Sequence, residues 1–191
     1  MKTRDIDIRA QLHLNLKHEH AGEHDTLIID ELGLCQGDAR IDVAVVNGSI
    51  HGFEIKSESD TLERLPGQID IYNKVLDSIT IITGKCHNEG ILKLIPEWWG
   101  IVIAEKINDD EVSFLVSRQS NPNPQIDPYS VVQLLWRDEA LELLRRFELE
   151  KGYISKPRNK IWEKLVESFS LEELKYHVRE QLKLRKNWRV D

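Results

Sequence analysis

Three charged side chains sit inside stretches that otherwise read as buried strands. Asp42 lies in RIDVAVV, and Glu54 and Lys56 lie in HGFEIKS, with Asn47-Gly48 between the two runs. Runs of Val and Ile joined by Asn-Gly predict a β-hairpin. Burying a carboxylate costs several kcal/mol unless it is paired or holds a metal. Two carboxylates on adjacent strands, completed by carbonyl and water oxygens, suit Mg²⁺ or Mn²⁺. A lysine beside them can orient or deprotonate an attacking water and offset charge developing on a phosphate. The chemistry these residue types suggest is metal-dependent phosphodiester hydrolysis.

That chemistry imposes a condition on the turn. Glu54 and Lys56 are two residues apart and share a face of their strand. A two-residue turn at Asn47-Gly48 would pair Asp42 with Phe53 and send Asp42 and Glu54 to opposite faces. A three-residue loop reverses the parity. With loop 47–49, Asp42 stands opposite Glu54; with loop 46–48, Gly48 takes a left-handed bulge position and the carboxylates become diagonal neighbours. An odd-length loop or an equivalent bulge is therefore expected.

The elements that must position this hairpin follow from periodicity. Ile8, Leu12 and Leu16 predict an amphipathic helix over 5–17. His13, His18, His20 and His24 then fall in a polar loop, a solvated segment or a poorly spaced zinc site. Strands are expected at 26–32, 78–84, 100–106 and 112–117, with an Asn108-Asp109-Asp110 turn between the last two. Asp60-Thr-Leu-Glu63 has the pattern of a capping box that starts a helix, bent or restarted at Pro66-Gly67 and continuing over 68–76. A short helix at 88–95 ends before Pro96. Three prolines in 121–128 mark a linker, and helices follow at 130–148, 159–169 and 171–185, the last opened by Ser170 and Glu173. The expected fold class is α/β, a mixed sheet covered by helices, with a core over 1–120, a linker over 121–129 and a helical annex over 130–191.

At 191 residues, 40% apolar and 31% charged, the chain has the composition of a soluble protein. Its charged N-terminus lacks the apolar core of a signal peptide, and Cys35 and Cys86 are too few for a disulfide framework. A cytoplasmic setting is expected. The net charge of −7 is uneven: residues 1–150 hold 15 Lys and Arg against 27 Asp and Glu, whereas residues 151–191 hold 11 against 6. A basic end on an acidic body is compatible with a polyanionic partner.

The residues Asp42 and Glu54-Ile55-Lys56, followed by Gln68-Ile-Asp-Ile-Tyr72, resemble the PD-(D/E)XK nuclease superfamily of restriction-endonuclease-like folds. Gln68 and Tyr72 look like the Q-x-x-x-Y motif of its RecB-like exonuclease branch. The wider pattern ELGL, ARIDVAVV, EIKS, DTLERL is similar to an uncharacterised bacterial family within it. The resemblance covers about residues 5–106. Ile41 stands where the superfamily pattern has proline. It implies an αβββαβ core and Mg²⁺-dependent hydrolysis of DNA. Asp42, Glu54 and the Ile55 carbonyl would hold the metal, Lys56 would position the water, and Gln68 would support the site.

Other residues keep two readings. Glu31 is an additional acidic ligand or a structural partner of Arg40. Arg64, Gln68 and Tyr72 form an i, i+4, i+8 line facing substrate, with core packing the alternative for Tyr72. Trp98-Trp99 stack on bases or pack in the core, and Trp136, Trp162 and residues 141–147 form the annex's own core. Lys156, Arg158, Lys160, Lys183, Arg185, Lys186 and Arg189 grip phosphates or line a solvated face, and Arg40 is a further substrate contact. A homodimer is compatible with the sequence, as is a catalytically silent nucleic-acid-binding or assembly protein that keeps the nuclease fold.

Overall fold

The computed structural model describes residues 2–108, 111–186 and 188. In order they form α1 (Asp5–Glu19), β1 (Leu27–Leu34), β2 (Ala39–Val46), β3 (Ile50–Lys56), α2 (Leu65–Val75), β4 (Ser78–Gly84), α3 (Asn88–Leu92), β5 (Gly100–Lys106) and β6 (Val112–Arg118). The helices α4 (Pro128–Val132), α5 (Arg137–Arg146), α6 (Arg158–Ser168) and α7 (Leu171–Leu184) follow. The strands make one mixed sheet in the order β1-β2-β3-β4-β5-β6. Short turns give antiparallel neighbours at β1–β2, β2–β3 and β5–β6, whereas crossovers through α2 and α3 leave β3, β4 and β5 parallel.

Each face of the sheet is covered. Ile8, Leu12 and Leu16 of α1 pack with Val43, Val45, Ile55, Ile82 and Ala104 on one side. On the other side α2 packs with Ile41, Ala44, Ile79, Ile81 and Ile101, and the same cluster runs on through Val132, Leu144, Trp162 and Leu182. The C-terminal helices thus share one core with the sheet instead of building their own. Trp162 belongs to that common core, and Trp136 stays 38% exposed at its rim.

The hydrophobic alternation of β1 and β2 skips at one rung. Ile29, Leu32 and Leu34 of β1, and Ala39, Ile41, Ala44 and Val46 of β2, all belong to the α2-side cluster. Period-two alternation cannot put both Ile41 and Ala44 on one face. The ladder is continuous on either side but lacks the rung between Glu31 and Asp42, where Glu31 takes φ of +53°. Both strands change face there without losing register.

Several local expectations are corrected. His13 and His18 lie within α1, not in a loop. Asp60 does not cap a helix: its carboxylate accepts the Ser57 N–H and Oγ–H, each at 2.7 Å. The helix starts at Leu65 instead, with Pro66 in its first turn, where a missing N–H costs nothing. The pattern over 130–148 is two helices, α4 capped by Asp127 through the Ser130 N–H at 2.8 Å, and α5. The proline-rich segment is strapped across the end of α2, because Asn123 Nδ2 donates to the Asn73 and Leu76 carbonyls at 2.7 and 2.8 Å. Ser170 and Glu173 do form their capping box. Asp109, Asp110 and Arg189 lie outside the described residues. Among the described residues no helix is long and apolar enough to cross a membrane.

Candidate functional site

The β2–β3 turn meets the parity condition. Val46 pairs with Ile50, leaving Asn47–Ser49 as a three-residue loop, closed by Asn47 N–H to Ser49 O at 3.0 Å. Asn47 Oδ1 also accepts the Ser49 N–H at 3.2 Å. Pairing runs to Val43 and Phe53, so the next rung sets Asp42 opposite Glu54. Backbone pairing between the strands stops there. Asp42 Oδ2 takes the Ile55 N–H at 2.6 Å, a side chain completing what the ladder leaves open.

Glu54 and Lys56 lie on the α2 side of β3, 1% and 7% exposed. Lys56 Nζ donates to Glu54 Oε1. Tyr72 Oη lies 2.7 Å from Glu54 Oε2 and 2.7 Å from the Arg40 carbonyl, so its one proton serves one acceptor at a time. Gln68 Nε2 donates to Tyr72 Oη at 3.0 Å. The i, i+4 spacing thus brings Gln68 and Tyr72 together as expected. Tyr72, however, is fully buried against Trp99, its ring centroids 6.2 Å apart, and meets Glu54 instead of the surface. Its hydroxyl is held well above the usual range by burial and by the Glu54 carboxylate.

Asp42 is tied to α1 by an arginine that sequence reasoning missed. Arg9 Nη1 donates to the Asp42 carbonyl at 2.8 Å, and Nη2 reaches Asp42 Oδ1 at 3.0 Å and Glu31 Oε1 at 2.9 Å. Glu31 is therefore paired, through Arg9. Arg9 lies 33 positions from Asp42, and its only local signal is that it follows Ile8 on the helix face turned to the sheet. Burial, then the nearby Glu54 charge, push Asp42 up to about 7, against the Ile55 N–H, Arg9 and Lys56, which act the other way.

A divalent cation here would take Asp42, Glu54 and the Ile55 carbonyl as its protein donors, and leaving the rest to water suits Mg²⁺, which dehydrates reluctantly. Gln68 Oε1 is buried beside Tyr72 with no hydrogen-bond partner, an acceptor that a water in this site would satisfy. Among the described residues no group of three or more His, Cys, Asp or Glu has metal-binding geometry, the helix-1 histidines included.

The other candidates divide. Arg40 and Arg158 line a cleft of about 580 Å³ between β1 and the C-terminal helices. Arg64 is exposed at the start of α2, and Lys156 is exposed before α6. Lys160 pairs with Glu163 at 2.6 Å. Lys183 pairs with Asp25 and Glu180, and Arg185 with Glu139, so part of the basic end is neutralised within the fold. Trp99 is a core residue, its Nε1 donating to Asn73 Oδ1 at 2.9 Å.

Fold and site together define a mixed α/β protein with a largely buried carboxylate pair and a lysine at a splayed hairpin. Residues 2–189 match the family model of bacteriophage P4 protein cII, and the chain belongs to that family. Protein cII of Enterobacteria phage P4 is 28% identical over 123 residues, which is 64% of this chain and 46% of that protein. The chain spans about half the length of that curated relative. A solved protein of unknown function from Silicibacter pomeroyi aligns over 73% of this chain and 90% of its own, with a TM-score of 0.39 and 19% identity.

Proposed function

We propose that the chain is a Mg²⁺- or Mn²⁺-dependent deoxyribonuclease of the restriction-endonuclease-like class, acting in the cytoplasm. The observation that carries this reading is the carboxylate pair. Asp42 and Glu54 meet across an odd-length hairpin loop, with Lys56 on the Glu54 carboxylate. Support also comes from the order α1-β1-β2-β3-α2-β4, which is the αβββαβ order that the sequence resemblance implies.

Asp42, Glu54 and the Ile55 carbonyl would hold the cation. When bound, it supplies a Lewis acid for the phosphate and lowers the pKa of a bound water. Lys56, fixed by Glu54, orients the attacking water and offsets negative charge on the phosphate. Tyr72, steadied by Gln68, keeps Glu54 in place. The test is cleavage of labelled linear, circular, single-stranded and branched DNA with Mg²⁺ or Mn²⁺. Asp42→Asn and Lys56→Met should each abolish cleavage, and undiminished turnover by both sinks the assignment.

A second reading, a nucleic-acid-binding or assembly protein without turnover, is favoured by one observation. Every carboxylate oxygen of Asp42 and Glu54 already has a partner within the chain. DNA binding with no Mg²⁺ or Mn²⁺ uptake in a calorimetric titration selects that reading.

A further inference from the structure

The cleft between the β1 edge of the sheet and the C-terminal helices is charged against the grain of the protein. Arg40, Arg137, Arg158 and Arg185 line it beside Asp30 and Glu31, in a chain of net charge −7, with Arg137 paired to Asp138 at 3.1 Å. Three indoles share its wall. Arg185 stacks between Trp136 and Trp188, its guanidinium carbon 4.3 and 4.6 Å from the ring centroids. Glu139 fixes that arginine, accepting from Arg185 Nε at 2.8 Å, and the Leu134 carbonyl accepts from Nη2 at 2.9 Å. Arg158 lies 5.3 Å over the ring of Trp162. Arg185 is thus spent on holding the platform, while Arg158 stands exposed at the rim, its Nη2 donating to Gln36 Oε1. Trp136 keeps 38% of its surface open.

Neither Asp42 nor Glu54 lines the cleft, but two of its residues touch their partners. Glu31 in its wall shares Arg9 Nη2 with Asp42, and the carbonyl of Arg40 accepts from the hydroxyl that faces Glu54. A rigid indole beside exposed guanidinium is the equipment that holds an unstacked base and its phosphate. A paired base has both faces covered by its neighbours and cannot use it.

We infer that this cleft binds single-stranded DNA, stacking one base on Trp136 and gripping a phosphate of the same strand with Arg158. This deepens the proposed nuclease reading and rests on DNA being the substrate. The test is anisotropy of a labelled oligo-dT of about 20 nucleotides and of the matching duplex, with wild type, Trp136→Ala and Arg158→Ala, in EDTA. The single strand should bind at least tenfold more tightly than the duplex. Trp136→Ala should weaken it by about 5- to 150-fold, the loss expected for an aromatic platform. Arg158→Ala should lower the slope of log affinity against log salt by about 0.7, one phosphate contact on a single strand. Circular dichroism melts establish that the variants are folded. Equal affinity for the duplex, or unchanged single-strand binding by folded Trp136→Ala, overturns the inference. Because binding is read without metal, a protein that binds the strand but never cleaves it refutes the nuclease reading and leaves this one standing.

Discussion

Replacing Asp42 with asparagine should stabilise the metal-free protein at neutral and alkaline pH, and the gain should depend on pH in a defined way. In the fold Asp42 titrates near 7, chiefly because it is buried and then because Glu54 is beside it; unfolded, it titrates near 3.8. Between these values the folded state holds a proton that the unfolded state has released. Stability therefore falls as pH rises through that window. Each pKa unit is worth about 1.36 kcal/mol, so the full loss is on the order of 4 kcal/mol, complete a little above pH 7. Asparagine has no such window. Its Oδ1 can still accept the Ile55 N–H, while its amide faces Arg9 poorly, which sets a constant offset between the two proteins. The assay is urea unfolding in EDTA from pH 5 to 8.5. The difference in stability, variant minus wild type, should rise by about 1.4 kcal/mol per pH unit up to pH 7 and then level off. Contributions from groups that do not interact with Asp42, His51 among them, cancel in that difference. Mg²⁺ should then raise the stability of the wild type and leave the variant unmoved. Parallel pH profiles for the two proteins would refute the argument, since Asp42 would then ionise as it does in the unfolded chain.

Three other perturbations follow from the packing. His51, between Ser78 Oγ at 2.7 Å and Thr80 Oγ1 at 2.9 Å, is pushed down to about 4 by burial. Its neutral ring stabilises the fold above pH 6.5, and on the order of 3 kcal/mol is lost as pH falls toward 4; His51→Gln should flatten that acid limb in urea titrations. Lys56→Ala leaves the Glu54 carboxylate buried without its cation and should cost about 3–5 kcal/mol, read as a lower urea midpoint. Adding Glu54→Gln to Lys56→Ala should recover part of that loss. Gly52→Ala places a Cβ 2.6 Å from Leu76 Cδ1 and 3.1 Å from Ile41 Cγ1, and should destabilise by about 1–3 kcal/mol, a few degrees in melting temperature.

What could be read from the sequence was what short-range geometry decides. The β3 and β4 strands, the turn parity and the Gln68–Tyr72 contact depend on spacings of a few residues, and they hold. Asp60 and Glu63 had the spacing of a cap, but Asp60 was drawn to the Ser57 backbone as β3 ends, and Pro66 fits a first helical turn. Arg9 was invisible because nothing local couples α1 to β2. The face change at Glu31 was invisible for another reason. A left-handed φ is expected of glycine or asparagine, and a glutamate gives no such warning. The apolar pattern of the C-terminal helices was legible, but a pattern does not name its partner, so a separate core was expected where a shared one exists.

The missing rung at Glu31 and Asp42 also bears on what the outer strand can offer to another chain. β1 is an outer strand, and an outer strand offers its unpaired N–H and C=O groups to any neighbouring chain. With Glu31 at φ of +53°, the row of open groups is broken midway, and the two halves of the strand turn opposite faces to the same side. A second β1 laid along it could match one half or the other but not both. The distortion at Glu31 therefore blunts one of the two outer edges of the sheet against edge-to-edge pairing.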